Sequence, residues 1–414
     1  MSDRELLVDL DLNGTPCRVG RLWVRRHRGR DSASFAYDPR WLAHPARFAL
    51  EPALMLGVGP HHTHTGRTLF GAYGDSAPDR WGRMLIKREH LRRARVNRIA
   101  AHTLSEADFL LGVSDETRQG ALRFRESEAG PFLADGEHRR VPPLIQLGDL
   151  LRAAQRLAAD EADEDRDDDL QLLLAPGSSL GGARAKASVL DLDGQLSIAK
   201  FPQLDDPYPV MTWEAVALDL AHRAGISVPT WRLESVVDRT ALLLRRFDRR
   251  GGLRLPYLSA MSMIGALDNE DHSYLEIVDA IRQYGAAPEQ DCAQLWRRVV
   301  FSILIANTDD HLRNHGFLYD MRGQGWRLSP AFDLNPTPRD VRARVLSLAI
   351  DEADNTADVE IALSIARQCG LKPNEARTIV AEVEAAVAHW RVVAKHHGLN
   401  AREIDRMASA FERD

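Results

Sequence analysis

The first residues of the chain alternate between apolar and other side chains. Every second position from Leu6 to Leu12 is apolar, Asn13-Gly14 follows, and further apolar residues stand at Val19, Leu22 and Val24. A period of two is typical of a half-buried strand, and Asn-Gly between apolar segments favours a tight hairpin turn. The chain is therefore predicted to begin with strands.

A second predicted hairpin lies near the middle of the chain and is followed by a helix. The segment ASVLDLDGQLSIAKFP (187–202) has a turn signal at Asp193-Gly194. In MTWEAVALDLAHRAG (211–225) the apolar residues recur with a helical period, and Gly225 suits a helix C-terminus. A strand hairpin joined to a helix is predicted here.

Helical patterns dominate beyond about residue 250. Residues 295–304 predict a largely buried helix, and 379–390 predict an amphipathic helix after Pro373. An earlier helix is predicted from Arg80, in WGRMLIKREHLRRARVNR (81–98). The pattern predicts an α+β protein that is strand-rich first and helical last.

Composition narrows the class of protein. The chain has 414 residues, 44% hydrophobic and 28% charged, which excludes a disordered protein and suggests two to three domains. Its apolar runs are too short to span a bilayer, its start does not resemble a signal peptide, and we expect a cytoplasmic protein. Three distant cysteines (Cys17, Cys292 and Cys369) argue against a disulfide framework and a cysteine-based zinc site.

The charged segments have two interpretations. The net charge of −6 argues against a protein built wholly around nucleic acid. The predicted helix from Arg80 nevertheless carries seven basic residues, which are Arg83, Lys87, Arg88, Arg92, Arg93, Arg95 and Arg98. They form either a solvated face or a surface for phosphate or an acidic partner. The acidic block at 160–169 predicts an exposed loop or linker.

The strongest chemical signal follows the predicted helix at 295–304. Asp309 and Asn314 have the D-x-x-x-x-N spacing of a kinase catalytic loop, and Asp333 follows Phe332 in AFDLNP. Phosphoryl transfer needs a carboxylate that accepts the proton of the attacking hydroxyl, and neutral and acidic oxygen ligands for Mg²⁺. Asp309 is therefore the predicted catalytic base, and Asn314 and Asp333 are predicted metal ligands.

Residues upstream supply the nucleotide-binding parts in kinase order. Ser179, Gly181 and Gly182 lie in a Gly/Ser loop whose backbone amides are suited to phosphates. Lys200 ends the second strand of the predicted hairpin, on the face shared by Leu196 and Ile198, a candidate wall for adenine.

Glu214 lies in the first turn of the following helix, where it is placed to pair with Lys200. Each of these features alone is also typical of a turn, a strand end or a helix cap. Their order along the chain is what indicates a kinase.

The sequence gives little support for a histidine metal site or for a serine hydrolase. His61, His62 and His64 have no neighbouring carboxylate or cysteine, so a surface loop is favoured over a metal site. His311, between Asp309 and Asn314, is interpreted as structural. No G-x-S-x-G follows a predicted strand, which argues against a serine hydrolase.

Most of the chain resembles the HipA family of bacterial toxin serine/threonine kinases. The resemblance is carried by motifs in family order, namely VGRLWV, FAYDPRWL, SAPDRWGRMLI, SSLGGARAK, IAKFP, WE at 213–214, LLRRFDR, NTDDHLRN and AFDLNP. It implies a protein-kinase-like two-lobe fold. We divide the chain into an N-terminal subdomain (1–140), a nucleotide-binding α/β lobe (141–248) and an all-helical catalytic lobe (249–414).

The resemblance also implies roles for single residues. Lys200 contacts the ATP phosphates, Asp309 is the base, and Asn314 and Asp333 hold Mg²⁺. Ser179 is the candidate for an autophosphorylation that silences the kinase, with Ser178 as an adjacent competitor, because a group of charge about −1.5 to −2 is repelled by ATP phosphates.

The implied partners are a small DNA-binding antitoxin (HipB-like) and a protein substrate from translation, such as an aminoacyl-tRNA synthetase. Operator DNA is contacted through the antitoxin complex, with 83–98 as a candidate DNA-facing stretch. Two alternatives stay open: a catalytically weak co-repressor with the kinase fold, and a small-molecule kinase.

Overall fold

The alternating segment at the start of the chain forms strand β1 (Arg4–Leu12), which pairs antiparallel with β2 (Thr15–His27). Asn13 and Gly14 join the strands with φ angles of 53° and 84°. A two-residue turn with both φ angles positive matches the twist of the flanking strands, and Asn-Gly adopts it readily. The predicted hairpin is confirmed.

The computed structural model describes residues 4–27, 30–64, 66–133, 141–159, 167–177 and 184–412. The chain divides into two units. The first comprises Met1–Leu204 and Glu234–Leu258, and the second comprises Asp205–Leu233 and Ser259–Asp414. The sequence-based division at residues 140 and 248 stays a prediction.

Antiparallel sheets organise the first unit. The N-terminal sheet adds β3 (Arg30–Tyr37), β4 (Pro60–His62) and β5 (Leu122–Arg125), in the order β4-β3-β2-β1-β5. The next sheet contains β6 (Lys186–Leu190), β7 (Leu196–Lys200), β8 (Trp231–Val236) and β9 (Arg239–Arg245), in the order β6-β7-β9-β8. A short ribbon pairs β10 (Arg249–Arg250) with β11 (Leu253–Arg254).

Three of the helices described in the first unit pack on the sheet that contains β6 and β7. The helices described in this unit are α1 (Pro39–Leu42), α2 (Gly71–Asp75), α3 (Arg80–Val96), α4 (Glu106–Gly112), α5 (Leu147–Ala159) and α6 (Asp167–Gly177). Leu85 of α3, Leu150 of α5 and Leu173 of α6 form one buried cluster with Val189 of β6 and Ala199 of β7. This core fixes the β6–β7 hairpin, which carries Lys200.

The second unit is mainly helical. Its helices are α7 (Val210–Arg223), α8 (Ala260–Ile264), α9 (Tyr274–Tyr284), α10 (Pro288–Leu304), α11 (Val359–Ser364), α12 (Pro373–Val387), α13 (Trp390–His396) and α14 (Ala401–Phe411). Helix α7 ends before Gly225, whose φ is 75°, as predicted. The helix predicted for 379–390 is interrupted after Val387. Trp390 is the first residue of α13, and its ring stacks on Phe411 with the ring centroids 4.7 Å apart.

One part of the predicted architecture is corrected, because the C-terminal lobe is not all-helical. Strand β12 (Tyr257–Ser259) crosses the point where the first unit ends, and β13 (Gly316–Asp320) and β14 (Gly325–Leu328) form an antiparallel hairpin. Tyr319 and Trp326 stand opposite each other with edge-on rings 5.3 Å apart. Aromatic cross-strand pairs stabilise hairpins, and these strands are too short to give a clear periodic signal.

The basic residues of α3 have partners within the first unit. Arg83 forms a two-bond ion pair with Glu106 at 2.8 and 2.6 Å, and Arg92 and Arg93 both bind Glu89. Two more of the seven residues are engaged, since Arg88 donates to the carbonyl of Leu157 and Arg95 to Asp167. These contacts favour the interpretation of 83–98 as a charged face satisfied within the chain.

The end of the acidic block is helical, which corrects the predicted loop for its last three residues. Asp167, Asp168 and Asp169 form the first turn of α6, where negative charge suits the helix dipole. Asp169 also binds Arg156 of α5 at 2.7 and 2.5 Å. Residues 160–166 lie outside the described residues.

Two of the three histidines predicted to lie in a surface loop belong to an edge strand, and His64 follows that strand. His61 and His62 belong to β4, and the Nδ1 atom of His62 lies 2.8 Å from the Ser34 hydroxyl. Within the described ranges, no group of three or more metal-ligating side chains is present.

None of the helices in the described part of the chain combines the length and the apolar character that a membrane span requires.

Glu51 is a buried acid in the N-terminal part of the first unit. Its Oε2 atom accepts a hydrogen bond from the Ala72 amide at 2.5 Å, whereas Oε1 and the Tyr73 hydroxyl lack hydrogen-bond partners among the described residues. Burial raises the pKa of Glu51 to about 7, although the Ala72 amide opposes the shift. The acid is therefore protonated in the folded chain at mildly acidic pH.

Glu51→Gln is expected to stabilise the protein at pH 8 and to have little effect near pH 5. The pKa of Glu51 is higher in the folded chain than its ordinary value of 4.5. The contribution of Glu51 to the free energy of unfolding therefore falls as pH rises from about 4.5 to about 7, and it stays low above pH 7. A neutral amide removes this cost, about 1–3 kcal/mol at pH 8. Urea unfolding of both proteins at the two pH values checks this, and an equal difference at both would contradict it.

Candidate active site

The loop that follows α10 carries the predicted base and one predicted metal ligand. Asp309 is exposed, and Asn314 is buried at the end of a short 3₁₀ turn. The side-chain nitrogen of Asn314, Nδ2, donates to the backbone carbonyl of Asp309 at 3.2 Å. Because that nitrogen is engaged within the loop, the side-chain oxygen of Asn314 is the atom suited to a cation. Residues 309 and 314 thus act as one rigid turn.

The segment of Asp333 is tied to the start of this loop. The side-chain oxygen of Asn307 accepts a hydrogen bond from the Asn335 amide at 3.0 Å, and the Ala306 carbonyl accepts one from the Thr337 amide at 3.1 Å. Asp333 has a φ of 60°, an uncommon conformation for a residue with a side chain, and such residues cluster at functional sites. The second unit therefore joins the segments of Asp309, Asn314 and Asp333 through direct hydrogen bonds.

The donor set fits Mg²⁺. An amide oxygen from Asn314 and a carboxylate from Asp333 are hard oxygen ligands, and Mg²⁺ in phosphoryl-transfer sites takes one or two protein carboxylates plus phosphate and water oxygens.

Asp310, which sequence analysis did not identify as a site residue, anchors the loop to the helices beneath it in the core through its buried carboxylate. Its Oδ2 atom accepts hydrogen bonds from the Tyr274 hydroxyl of α9 at 2.6 Å and the Ser302 hydroxyl of α10 at 3.2 Å. His315 Nε2 lies 3.1 Å from Oδ1. Burial disfavours the carboxylate, but the charge of His315 and these hydrogen bonds outweigh burial and lower the pKa of Asp310 below its ordinary value.

The histidine that serves the loop is His315 rather than His311. His311 is exposed, and its backbone carbonyl accepts the Asn314 amide at 2.8 Å, so its contribution to the turn comes from the main chain. His315 is buried beside Tyr274, with the ring centroids 5.7 Å apart. The sequence offers no signal for this role beyond the position of His315 directly after Asn314.

Arg342 is a second residue that sequence analysis missed. Its Nη1 atom donates to Oδ1 of Asp309 at 3.0 Å, and its Nη2 atom donates to the Ser347 hydroxyl at 3.3 Å. The Ser347 hydroxyl in turn donates to the carbonyl of Thr308 at 3.0 Å. The contact joins residues 33 positions apart, and no local pattern predicts it.

In the first unit, Lys200 lies where the alternation predicted. Ser197 and Ala199 are buried on one face of β7, and Leu196, Ile198 and Lys200 share the opposite, half-buried face. Lys200 stands beside Lys186 of β6 and Leu242 of β9. The shared face is confirmed, whereas contact with a nucleotide stays a prediction.

The predicted phosphate loop, with Ser178, Ser179, Gly181 and Gly182, lies outside the described residues. Downstream of them, the Lys186 carbonyl accepts a hydrogen bond from Trp81 Nε1 at 3.1 Å, and Lys186 Nζ lies 3.7 Å from Asp79. Burial raises the pKa of Asp79 to about 6, against the opposing charge of Lys186.

Glu214 is buried in α7, in the second unit. Lys200 belongs to the first unit, so the predicted pairing of Lys200 with Glu214 would join residues of different units and stays a prediction.

The LLRRFDR segment forms a buried charge cluster in the first unit. Asp248 binds Arg246 at 2.8 and 2.6 Å and Arg249 at 2.8 Å, and it accepts the Gly120 amide at 2.8 Å. Burial works against the carboxylate, but the two arginines lower the pKa of Asp248 far below its ordinary value. Arg246 and Arg249 also bind the Arg118 carbonyl, so the cluster ties 117–120 to 246–249.

Comparison with known proteins bears on the family and the fold of the chain. A family model described as HipA-like C-terminal domain matches residues 178–390, just over half of the chain. A Sinorhizobium fredii protein named "Putative kinase Y4mE" is 23% identical over 358 residues, which cover 77% of this chain and 75% of the relative.

A solved structure of HipA from Shewanella oneidensis, in complex with HipB and its operator DNA, is similar to the chain with a TM-score of 0.65. The similarity covers 98% of this chain and 94% of that protein at 15% identity. At that identity the likeness shows the fold, and it confirms the predicted α+β, kinase-like class.

Proposed function

Because the chain belongs to the family of proteins with a HipA-like C-terminal domain, we propose that it is an ATP- and Mg²⁺-dependent protein serine/threonine kinase that acts as the toxin of a toxin–antitoxin pair. The observation that carries the proposal is the pair of hydrogen bonds that joins the 307–314 loop to 335–337. This join keeps a candidate base and two candidate metal ligands on one framework.

The proposed chemistry divides among these residues. Asp309 accepts the proton of an acceptor serine or threonine hydroxyl while that oxygen bonds to the γ-phosphorus and the bond to the ADP oxygen breaks. Asn314 and Asp333 present oxygen atoms to Mg²⁺, which neutralises phosphate charge when bound. The exposure of Asp309 leaves its carboxylate accessible to a protein acceptor.

Nucleotide binding is assigned to the first unit and α7. Lys200 is proposed to contact the ATP phosphates and Glu214 to orient Lys200, and the Gly/Ser sequence of Ser179, Gly181 and Gly182 is proposed to offer backbone amides to the phosphates. The half-buried apolar face of β7 beside Lys200 supports an adenine contact there. Ser179 is the proposed autophosphorylation site, with Ser178 as its competitor.

The proposed partners follow from the HipA structure that resembles this chain. That protein was solved with HipB and operator DNA, and we propose a HipB-like antitoxin and an operator complex for this chain. A translation protein, such as an aminoacyl-tRNA synthetase, is the proposed substrate. The 83–98 stretch is not part of the proposal as a DNA contact, because four of its arginines (Arg83, Arg92, Arg93 and Arg95) bind Glu89, Glu106 or Asp167.

Asn314→Ala and Asp333→Asn are expected to abolish Mg²⁺-dependent ADP formation and to weaken binding of ATP in the presence of Mg²⁺ by about tenfold or more. Each removes one metal ligand. ADP release and calorimetric ATP titrations with Mg²⁺ and with EDTA provide the measurement. The variants should match the wild type in EDTA, and unchanged Mg²⁺-dependent binding in both variants would count against the proposed metal site.

A further inference from the structure

Asp309 is held by an arginine that the sequence gives no reason to expect. The ion pair with Arg342 has an N–O distance of 3.0 Å, and the side chains are 70% exposed for Asp309 and 45% exposed for Arg342. Ion pairs this exposed contribute little to folding, typically about 0–1 kcal/mol. The pair is therefore expected to add little to the stability of the chain.

The guanidinium of Arg342 is itself fixed to the loop that it serves. Its second nitrogen donates to Ser347, whose hydroxyl donates to the carbonyl of Thr308, the residue immediately before Asp309. Thr308 is fully buried. The contacts form a closed ring from Asp309 through Arg342 and Ser347 back to the backbone of the same loop. A flexible surface arginine is thereby given one position relative to the carboxylate.

This ring suits the needs of a general base. A carboxylate on an exposed loop samples several rotamers, and a small misplacement of a reacting group costs about 100-fold in rate. Arg342 engages Oδ1, so no hydrogen bond from Arg342 occupies the other oxygen, Oδ2, which is the atom that would accept the proton of a hydroxyl. We propose that Arg342 is a positioning residue that holds Asp309 for proton transfer, with Ser347 fixing Arg342; this inference rests on the proposed kinase function.

Five variants of the full-length chain test the inference, namely four single substitutions and the double variant Arg342→Ala/Ser347→Ala. Arg342→Ala removes the contact, Arg342→Lys keeps a charge that still reaches Asp309 but cannot also bind Ser347, and Ser347→Ala frees the guanidinium. The control is Arg391→Ala. The Arg391–Asp405 pair has the same 3.0 Å distance and similar exposure, 43% and 74%, and Arg391 also pairs with Glu412, so this variant removes at least as much surface charge pairing as Arg342→Ala. For each variant, kcat, KM for ATP, calorimetric ATP affinity and melting temperature are measured with an exogenous acceptor protein such as casein.

We expect Arg342→Ala to lower kcat by about 10- to 100-fold, with ATP affinity within twofold of the wild type. Arg342→Lys should recover part of this loss, and Ser347→Ala should lower kcat by about threefold. Ser347→Ala should have no further effect when added to Arg342→Ala, because Ser347 acts through Arg342. Arg391→Ala should keep the wild-type kcat.

Three results would overturn the assignment. A kcat for Arg342→Ala equal to that of Arg391→Ala would show that the ring does not position the base. A loss confined to ATP affinity would make Arg342 a phosphate contact, and independent effects of Ser347→Ala in the Arg342→Ala background would break the proposed ring. A wild type that neither binds ATP nor transfers phosphate would instead overturn the proposed function itself.

Discussion

Asp310→Ala is expected to lower the free energy of unfolding by about 3–5 kcal/mol, although Asp310 is the immediate neighbour of the exposed Asp309. The buried carboxylate accepts hydrogen bonds from Tyr274 and Ser302 and faces His315. Burial lowers the pKa of Arg298, whose interaction with Asp310 acts in the opposite direction. Removing the carboxylate leaves buried donors and positive charge without compensation.

Urea denaturation followed by far-UV circular dichroism checks this prediction. Asp309→Ala is the matched control, since removal of an exposed carboxylate at the adjacent position should change stability by less than about 0.5 kcal/mol. If Asp310→Ala does not fold, Asp310→Asn supplies the measurement, because it keeps the shape and an acceptor oxygen and should cost about 1–3 kcal/mol. Equal stability of Asp310→Asn and the wild type would contradict the role assigned to Asp310.

Asp309→Asn is expected to lower kcat for phosphate transfer by about 100- to 10,000-fold, the range attributed to a positioned general base. The amide keeps the size of the side chain and an oxygen for Arg342, but it cannot take up the proton of the acceptor hydroxyl. Because Asp309 is assigned no contact with the nucleotide, ATP affinity should be unchanged.

Steady-state ADP release with a saturating protein acceptor gives kcat, and calorimetry gives ATP affinity. Substitutions at the two neighbouring carboxylates should therefore have different effects. Those at Asp309 should lower activity, and those at Asp310 should lower stability. Retention of more than a tenth of wild-type kcat by Asp309→Asn would rule out Asp309 as the base.

Local signals in the sequence predicted several elements of the fold. The Asn13-Gly14 turn, the alternation that places Lys200 beside Ile198, and α7 with Gly225 each depend on residues within a few positions of one another. Periodicity and turn chemistry determine such features largely without the rest of the chain. The structure confirms all three.

Contacts between distant segments could not be predicted in this way. Tyr274 reaches Asp310 across 36 positions, and Asn307 reaches Asn335 across 28. In the sequence, Asp310 is indistinguishable from a helix cap, and the arginines of α3 are indistinguishable from a phosphate-binding face. Only the folded chain shows that the partners of those arginines include Glu106 and Asp167.

The short hairpin of β13 and β14 was missed by the sequence analysis for a different reason. Each strand has only four or five residues, between helical stretches, so tertiary pairing rather than a periodic pattern selects the extended conformation.

The most direct test of the proposed kinase is the intact mass of the purified chain after incubation with ATP and Mg²⁺, beside Asp309→Ala. Before incubation, phosphatase treatment sets both proteins to the unmodified mass. We expect the wild type alone to gain one phosphate, about 80 Da, which peptide mapping places on Ser179. No gain in the wild type together with no ATP binding would contradict a kinase and favour the co-repressor. An equal gain in Asp309→Ala would contradict the assignment of the base.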